Sequence, residues 1–158
     1  MAAPSNTAAN PFIRAAQVDD LPELLRLARA FYDEDGFTTS TAQLEANFRV
    51  LFADTDDAQI SVAVCGGRSV GFALTTSRMI LESGVVAELQ DLYVEPAHRQ
   101  RGIGTLLVDD AARWARARHA TLLEVVVAPN GRDVGHLFSY YAARGFSDEG
   151  RRLLSVVL

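Results

Sequence analysis

Arg99, Arg101, Gly102 and Gly104 crowd together where a helical pattern begins, in the stretch VEPAHRQRGIGTLLVDDAARWARA from Val94 to Ala117. The chemistry such a group can do is anion binding. The first turn of a helix carries backbone N–H groups without intrahelical acceptors and the positive end of the helix dipole. A glycine lacks Cβ and lets a phosphate come close to the main chain. The loop therefore suits a phosphate or a pyrophosphate, although an ordinary tight turn yields the same string. Leu107 stands where a dinucleotide fingerprint needs its third glycine, and a P-loop needs Gly-Lys-Ser/Thr in a chain that has no lysine.

Other reactive side chains point to less. The single cysteine, Cys65, lies in ISVAVC and reads as a core thiol rather than a nucleophile. Ser139 lacks the G-x-S-x-G setting of a hydrolase. His98 and His136 read as surface or capping residues, and no His/Cys/carboxylate group has metal-ligand spacing, so no metal is expected. Charge is informative through its placement. Ten acids against three arginines fall between Asp19 and Asp57, whereas the chain from Ala58 onward is nearly balanced. An acidic chain without a basic stripe argues against nucleic acid. It suits a cationic small molecule, as well as plainly solvated helix faces.

The elements that must position the loop follow from periodicity. FIRAAQ predicts a short strand. Asp20 to Glu23 has capping-box spacing with Pro22 at the helix start, and Leu21, Leu24, Leu25, Ala28, Phe31 and Tyr32 recur at helical spacing. Ser40 or Thr41 caps a second helix with Leu44, Phe48, Leu51 and Phe52 on one face. AQISVAVC and SVGFALTTSRMI predict a hairpin, and VVAELQDLYV a third strand before the glycine loop. TLLEVVVA reads as a strand buried on both faces. VGHLFSYYAAR reads as a helix closed by Gly145, and RRLLSVVL as a last strand. The expected order is β-α-α-β-β-β-α-β-α-β, one mixed α/β sheet. Residues 1–10 are expected to be a disordered tail and residues 11–158 a single domain. MAAPSNTAANP has neither the basic nor the apolar stretch of a signal peptide, and no apolar run is long enough to span a bilayer, so a cytoplasmic protein with no membrane partner is expected.

VVAELQDLYV contains an irregularity. Strict alternation puts Glu88, Gln90, Leu92 and Val94 on one face, and Leu89, Asp91 and Tyr93 on the other. The apolar parity shifts between Leu89 and Leu92. One extra residue near Gln90 and Asp91 restores it, which predicts a β-bulge. A strand buried on both faces, with its acids at the rim, gives the same string.

LQDLYVEPAHRQRGIGTLLVDDA closely resembles the acetyl-CoA signature of the GNAT superfamily of N-acetyltransferases, in which a strand and a proline-containing turn lead into Q/R-x-x-G-x-G/A. Arg99, Gly102 and Gly104 match that pattern, and YYAARGF is similar to the family's L-Y-x-x-x-G-F. The resemblance implies a GNAT-like fold and acetyl-CoA as cofactor. It assigns the pyrophosphate to the backbone of Arg99, Gln100, Arg101, Gly102, Ile103, Gly104 and Thr105. It pairs the main chain of Leu92, Tyr93 and Val94 with the pantetheine arm, in the splay beside the strand TLLEVVVA. The family's asparagine seven residues before the tyrosine falls on Val134 here; Asn130, one turn earlier, is the substitute candidate.

The implied reaction is direct acetyl transfer from the thioester to a primary amine in a ternary complex. An alkylammonium must lose a proton before it can attack, so a base is needed. By resemblance that base is Glu88, eleven residues before Arg99 in an AEL string, with Asp91 as the rival and otherwise an acceptor-side residue. Tyr141, four residues before Gly145, is the implied general acid, and Tyr140 then belongs to the core. The backbone N–H of Leu92 is the implied oxyanion donor. In this family the turn between the first two helices often lines the acceptor pocket. Here it is FYDEDGF, where Phe31, Tyr32, Asp33 and Glu34 suit a cationic primary amine through charge and cation–π contacts. The expected acceptor is a small-molecule amine. A protein lysine, a protein N-terminus, or a non-catalytic acyl-CoA-binding role are the alternatives. A second copy of the chain is a candidate partner.

Overall fold

β1 (Phe12–Ala15) and a short 3-10 turn lead into α1 (Leu21–Asp35) in the computed structural model, which describes residues 10–54, 56–128 and 133–158. The capping box expected at Asp20 to Glu23 does not form. The Asp20 carboxylate instead accepts the Gln17 N–H at 2.8 Å and the Arg14 guanidinium at 2.7 and 2.8 Å, so it fastens the preceding turn to β1. Gly36 ends α1 with a left-handed φ of 76°. α2 (Thr41–Ala53) starts at Ser40, whose side chain accepts the Gln43 N–H at 3.2 Å.

The sheet is built from β2 (Ala58–Cys65), β3 (Arg68–Ile80), β4 (Gly84–Val94) and β5 (Leu122–Val125) together with β1, in the order β1-β2-β3-β4-β5. The first four strands are antiparallel neighbours; β5 joins β4 in parallel after the crossover helix α3 (Ile103–Ala117). The predicted bulge is present. Leu74 pairs with Asp91 and Thr75 with Leu89, which leaves Gln90 as the extra residue. Because cross-strand partners share a face, the bulge brings Asp91 onto the face of Leu74 and Thr76, and hence of Glu88.

Helices cover both faces. Leu24, Leu27 and Phe48 from α1 and α2 pack on Ile60, Val62, Phe72 and Leu74. Ser61 points the opposite way from Ile60 and Val62. Its hydroxyl donates to the buried Asp110 of α3 at 2.6 Å, which places α3 on the other face. The described residues divide between Val125 and Val126 into two compact units; the second contains α4 (Gly135–Ala142). Among the described residues, no helix is long and apolar enough to cross a membrane.

Two expectations about the second half are corrected. The strand expected to be buried on both faces is the four-residue β5, with Leu122 38 % exposed. Among the described residues it is an edge strand paired only with β4, so one of its sides is uncovered. The strand expected at RRLLSVVL does not form: residues 146–158 contain neither helix nor strand. Strand geometry exists only through a paired neighbour, and Leu154 and Val157 stay exposed.

Candidate active site

Gly102 caps α3 with a left-handed φ of 79°, and nothing lies within 4 Å of where a Cβ would stand. It offers no side-chain cap to the first turn. Ile103, fully buried, anchors the start of the helix, while Gln100 and Arg101 are exposed in the loop. Gln100 also has a positive φ, 60°, which is uncommon away from glycine and marks a loop held by its surroundings. An uncapped helix start with open space above its glycine fits the pyrophosphate that the sequence motif implies.

Arg99 is a strut of this loop. Its Nε donates to the Val94 carbonyl at 2.8 Å, and its two terminal nitrogens donate to the Glu34 carboxylate at 2.9 and 2.7 Å. The guanidinium carbon lies 5.5 Å from the centre of the Tyr93 ring. A second clamp sits at the turn after β4. Glu95 pairs with Arg26 and, at 2.9 Å, with Arg68, and Arg26 also donates to the Ser69 carbonyl at 2.8 Å. Both clamps tie the strand–loop junction to α1.

Beside the loop, β4 has an open edge. Pairing with β5 runs from Val86 to Leu89 and stops, because β5 ends at Val125. Glu95 donates its N–H to Val70, so the antiparallel alternation turns Tyr93 toward β3, and the N–H groups of Leu92 and Val94 away from it. Among the described residues, no strand pairs with that side of Gln90 to Val94. An extended chain bearing amides, such as pantetheine, fits that edge.

The bulge aims Asp91 into a cavity of about 350 Å³ bounded by α1, α2, β3 and β4. Burial pushes the Asp91 carboxyl up, from an ordinary 3.8 to about 6; a hydrogen bond from Tyr32, the lesser cause, opposes the shift. That bond is long, 3.5 Å from the Tyr32 hydroxyl. Burial, and secondly the Asp91 charge, push Tyr32 itself up to about 12. Phe31 stacks on Tyr93, with ring centres 5.4 Å apart, behind this wall. Glu88, three residues earlier on the same face, is held differently. Its carboxylate accepts from Arg78 at 2.8 Å, and Arg78 reaches on to Glu124 at 2.7 Å.

The structure thus brings Tyr32, Asp91 and the α2 wall together. It commits Asp33 to Arg29 and Glu34 to Arg99. Asn47 also lines the cavity, and nothing in the sequence marks it, since α2 reads only as an apolar face. Tyr141 lies in the second unit, on α4, nearly buried against Tyr140 and Phe146 at ring distances of 5.2 and 5.3 Å. Burial pushes its hydroxyl up to about 12, the Tyr140 charge adds to that, and Arg144 opposes it. Tyr140 stacks under Arg144, 3.5 Å from guanidinium carbon to ring centre. Asn130 lies outside the described residues.

Residues 21–146 match the model of the acetyltransferase (GNAT) family. The chain is 30% identical over 136 residues to an uncharacterized N-acetyltransferase of Archaeoglobus fulgidus, covering 84% of this chain and 90% of the relative. It is 26% identical over 140 residues to an uncharacterized N-acetyltransferase of Methanocaldococcus jannaschii; that match covers 87% of this chain but 61% of the relative's length. Its fold is similar to that of the aminoglycoside N-acetyltransferase AAC(6')-Iy solved in complex with CoA, with a TM-score of 0.82 at 19% identity over 94% of this chain and 95% of the other. With four-fifths of its length matched by the family model and its glycine loop, bulged strand and open edge in place, the chain belongs to the GNAT acetyltransferase family.

Proposed function

We propose that the protein is an acetyl-CoA-dependent N-acetyltransferase acting on a primary amine of a small molecule, with Asp91 as the base. One observation carries this reading: a buried carboxylate at a β-bulge faces a cavity on the strand that feeds the glycine loop. Acetyl-CoA supplies an activated acyl carbon and a thiol leaving group. The backbone from Arg99 to Thr105 binds its pyrophosphate, and the Leu92 to Val94 edge orients its pantetheine arm. The neighbouring aminoglycoside N-acetyltransferase supports a small-molecule acceptor.

The residues then handle protons. Asp91 accepts one from the bound ammonium. A carboxylate at about 6 makes that transfer roughly 3 kcal/mol less uphill than one at an ordinary 3.8. Glu88, the base implied by the AEL string, is already occupied by Arg78, which supports Asp91 in its place. The N–H of Leu92, turned away from β3, is the donor for negative charge on the acyl oxygen. Tyr141, held protonated by burial, gives its proton to the departing thiolate; this role rests on its place in YYAARGF.

A steady-state assay of thiol release from acetyl-CoA, run with and without a panel of primary amines, tests the reading. Amine-dependent release is expected. Tight acetyl-CoA binding with no amine-dependent release by any primary amine would leave a binding module instead.

A further inference from the structure

We infer that the acceptor carries one positive charge on a compact apolar body, with its ammonium at Asp91 and its body in the cavity between α1 and α2. This inference rests on the proposed acetyltransferase function and narrows its substrate. The walls come from Ala28, Leu44, Phe48, Leu51, Phe72 and Leu74, all apolar. Against them stand three neutral polar residues, Tyr32, Asn47 and Gln90, and a single ionisable acid, Asp91. At about 350 Å³ the space is at the small end of ligand pockets, which run from about 300 to 1,000 Å³.

Charge complementarity then selects the occupant. One ammonium matches one carboxylate. A second ammonium on a polyamine, or the several on an aminoglycoside, would meet no other acid among the described residues of the lining. Of the three acids of the nearby turn, Asp33 and Glu34 are engaged by Arg29 and Arg99, and Asp35 does not line the cavity. A buried charge left without its partner weakens binding by at least about a hundredfold. Each methylene buried against the apolar walls strengthens it about fourfold. The same walls that favour a hydrocarbon body reject a polyhydroxylated sugar, whose hydroxyls would lose water without gaining partners.

The test is the kcat/KM of amine-dependent thiol release for propylamine, butylamine, pentylamine, hexylamine and phenethylamine, set beside 1,6-diaminohexane and kanamycin. Acetyl-CoA binding is measured separately by calorimetry. The expected result is a rise of about fourfold per methylene until the cavity is filled, with diaminohexane at least about a hundredfold below hexylamine. Leu51→Trp, which fills part of the space, should move the optimum to a shorter amine. If diaminohexane or kanamycin matches or exceeds hexylamine, the inference falls and the acetyltransferase reading stands. If acetyl-CoA binds but no monoamine in the series reacts, the inference likewise falls. If acetyl-CoA does not bind, both fall.

Discussion

Glu34, in the last turn of α1, holds Arg99 through two hydrogen bonds of 2.9 and 2.7 Å, across 65 residues of sequence. The motif arginine of the glycine loop is therefore fixed by an acid from the helix that also walls the Asp91 cavity. Glu34→Gln should weaken acetyl-CoA binding about threefold to tenfold, as expected for loss of a partly exposed ion pair worth about 1 kcal/mol. Arg99→Ala should cost more, because it also removes the donor to the Val94 carbonyl. Calorimetric titration of both variants checks this, and an unchanged affinity in Glu34→Gln would mean that the pair is ornamental to the loop.

The glycine loop has a second test. Gly104 lies inside the first turn of α3, so a side chain there adds bulk without the strain of a left-handed φ. Gly104→Val should keep its thermal transition within a few degrees of the parent and lose acetyl-CoA binding by at least about a hundredfold. Full binding by the folded variant would remove the pyrophosphate from this helix start.

Much of this loop was legible in the sequence, because a Gly-x-Gly string between strand and helix is a local signal. The bulge was legible too, as a break in apolar parity around Gln90. What the sequence hid is tertiary. Asp20 has the spacing of a helix cap, yet Arg14 and the Gln17 N–H reach it first. Glu88 and Asp91 are equally acidic on paper; Arg78 occupies one, and the packing of α1 and α2 buries the other. The FYDEDGF turn reads as free negative charge, but Arg29, one turn earlier on the same helix, engages Asp33, and Arg99 from the distant glycine loop engages Glu34. RRLLSVVL has the composition of a strand, and composition cannot say whether a neighbour is there to pair with it.

Asp91 should cost stability. Its folded value of about 6 lies above the ordinary 3.8 expected of the unfolded chain. Below pH 3.8 the carboxyl is protonated in both states and there is no penalty. As pH rises from about 4 to about 6 the unfolded chain releases the proton first, so the wild type loses up to roughly 3 kcal/mol. Asp91→Asn should therefore melt higher than wild type at pH 7, with the difference vanishing toward pH 3.5. Melting curves across that range check the sign; a variant less stable at pH 7 would show that the carboxylate is well solvated.

The two tyrosines of α4 should separate. Tyr141→Phe should lower turnover by about 10²–10⁴, the range for acid–base groups, with coenzyme affinity little changed. Because the Tyr141 hydroxyl titrates at about 12, no alkaline loss of the proton donor is expected below about pH 10. Tyr140→Phe keeps the ring under Arg144 and should be near neutral. Turnover numbers for the two variants decide the assignment, and exchanged phenotypes would reverse it.

The most direct measurement is the pH profile of kcat/KM for one primary amine in wild type, Asp91→Asn and Glu88→Gln, from pH 5 to 10. With Asp91 as base, wild-type activity should climb through an acid limb near pH 6 and then level. Asp91→Asn should lose about 10²–10⁴ at pH 7 and recover steadily toward pH 10, as neutral amine becomes available without a base. Glu88→Gln should stay within about threefold of wild type with the limb unmoved. An Asp91→Asn enzyme that keeps both its rate and the limb near pH 6, while Glu88→Gln loses them, would contradict this assignment and return the base to Glu88.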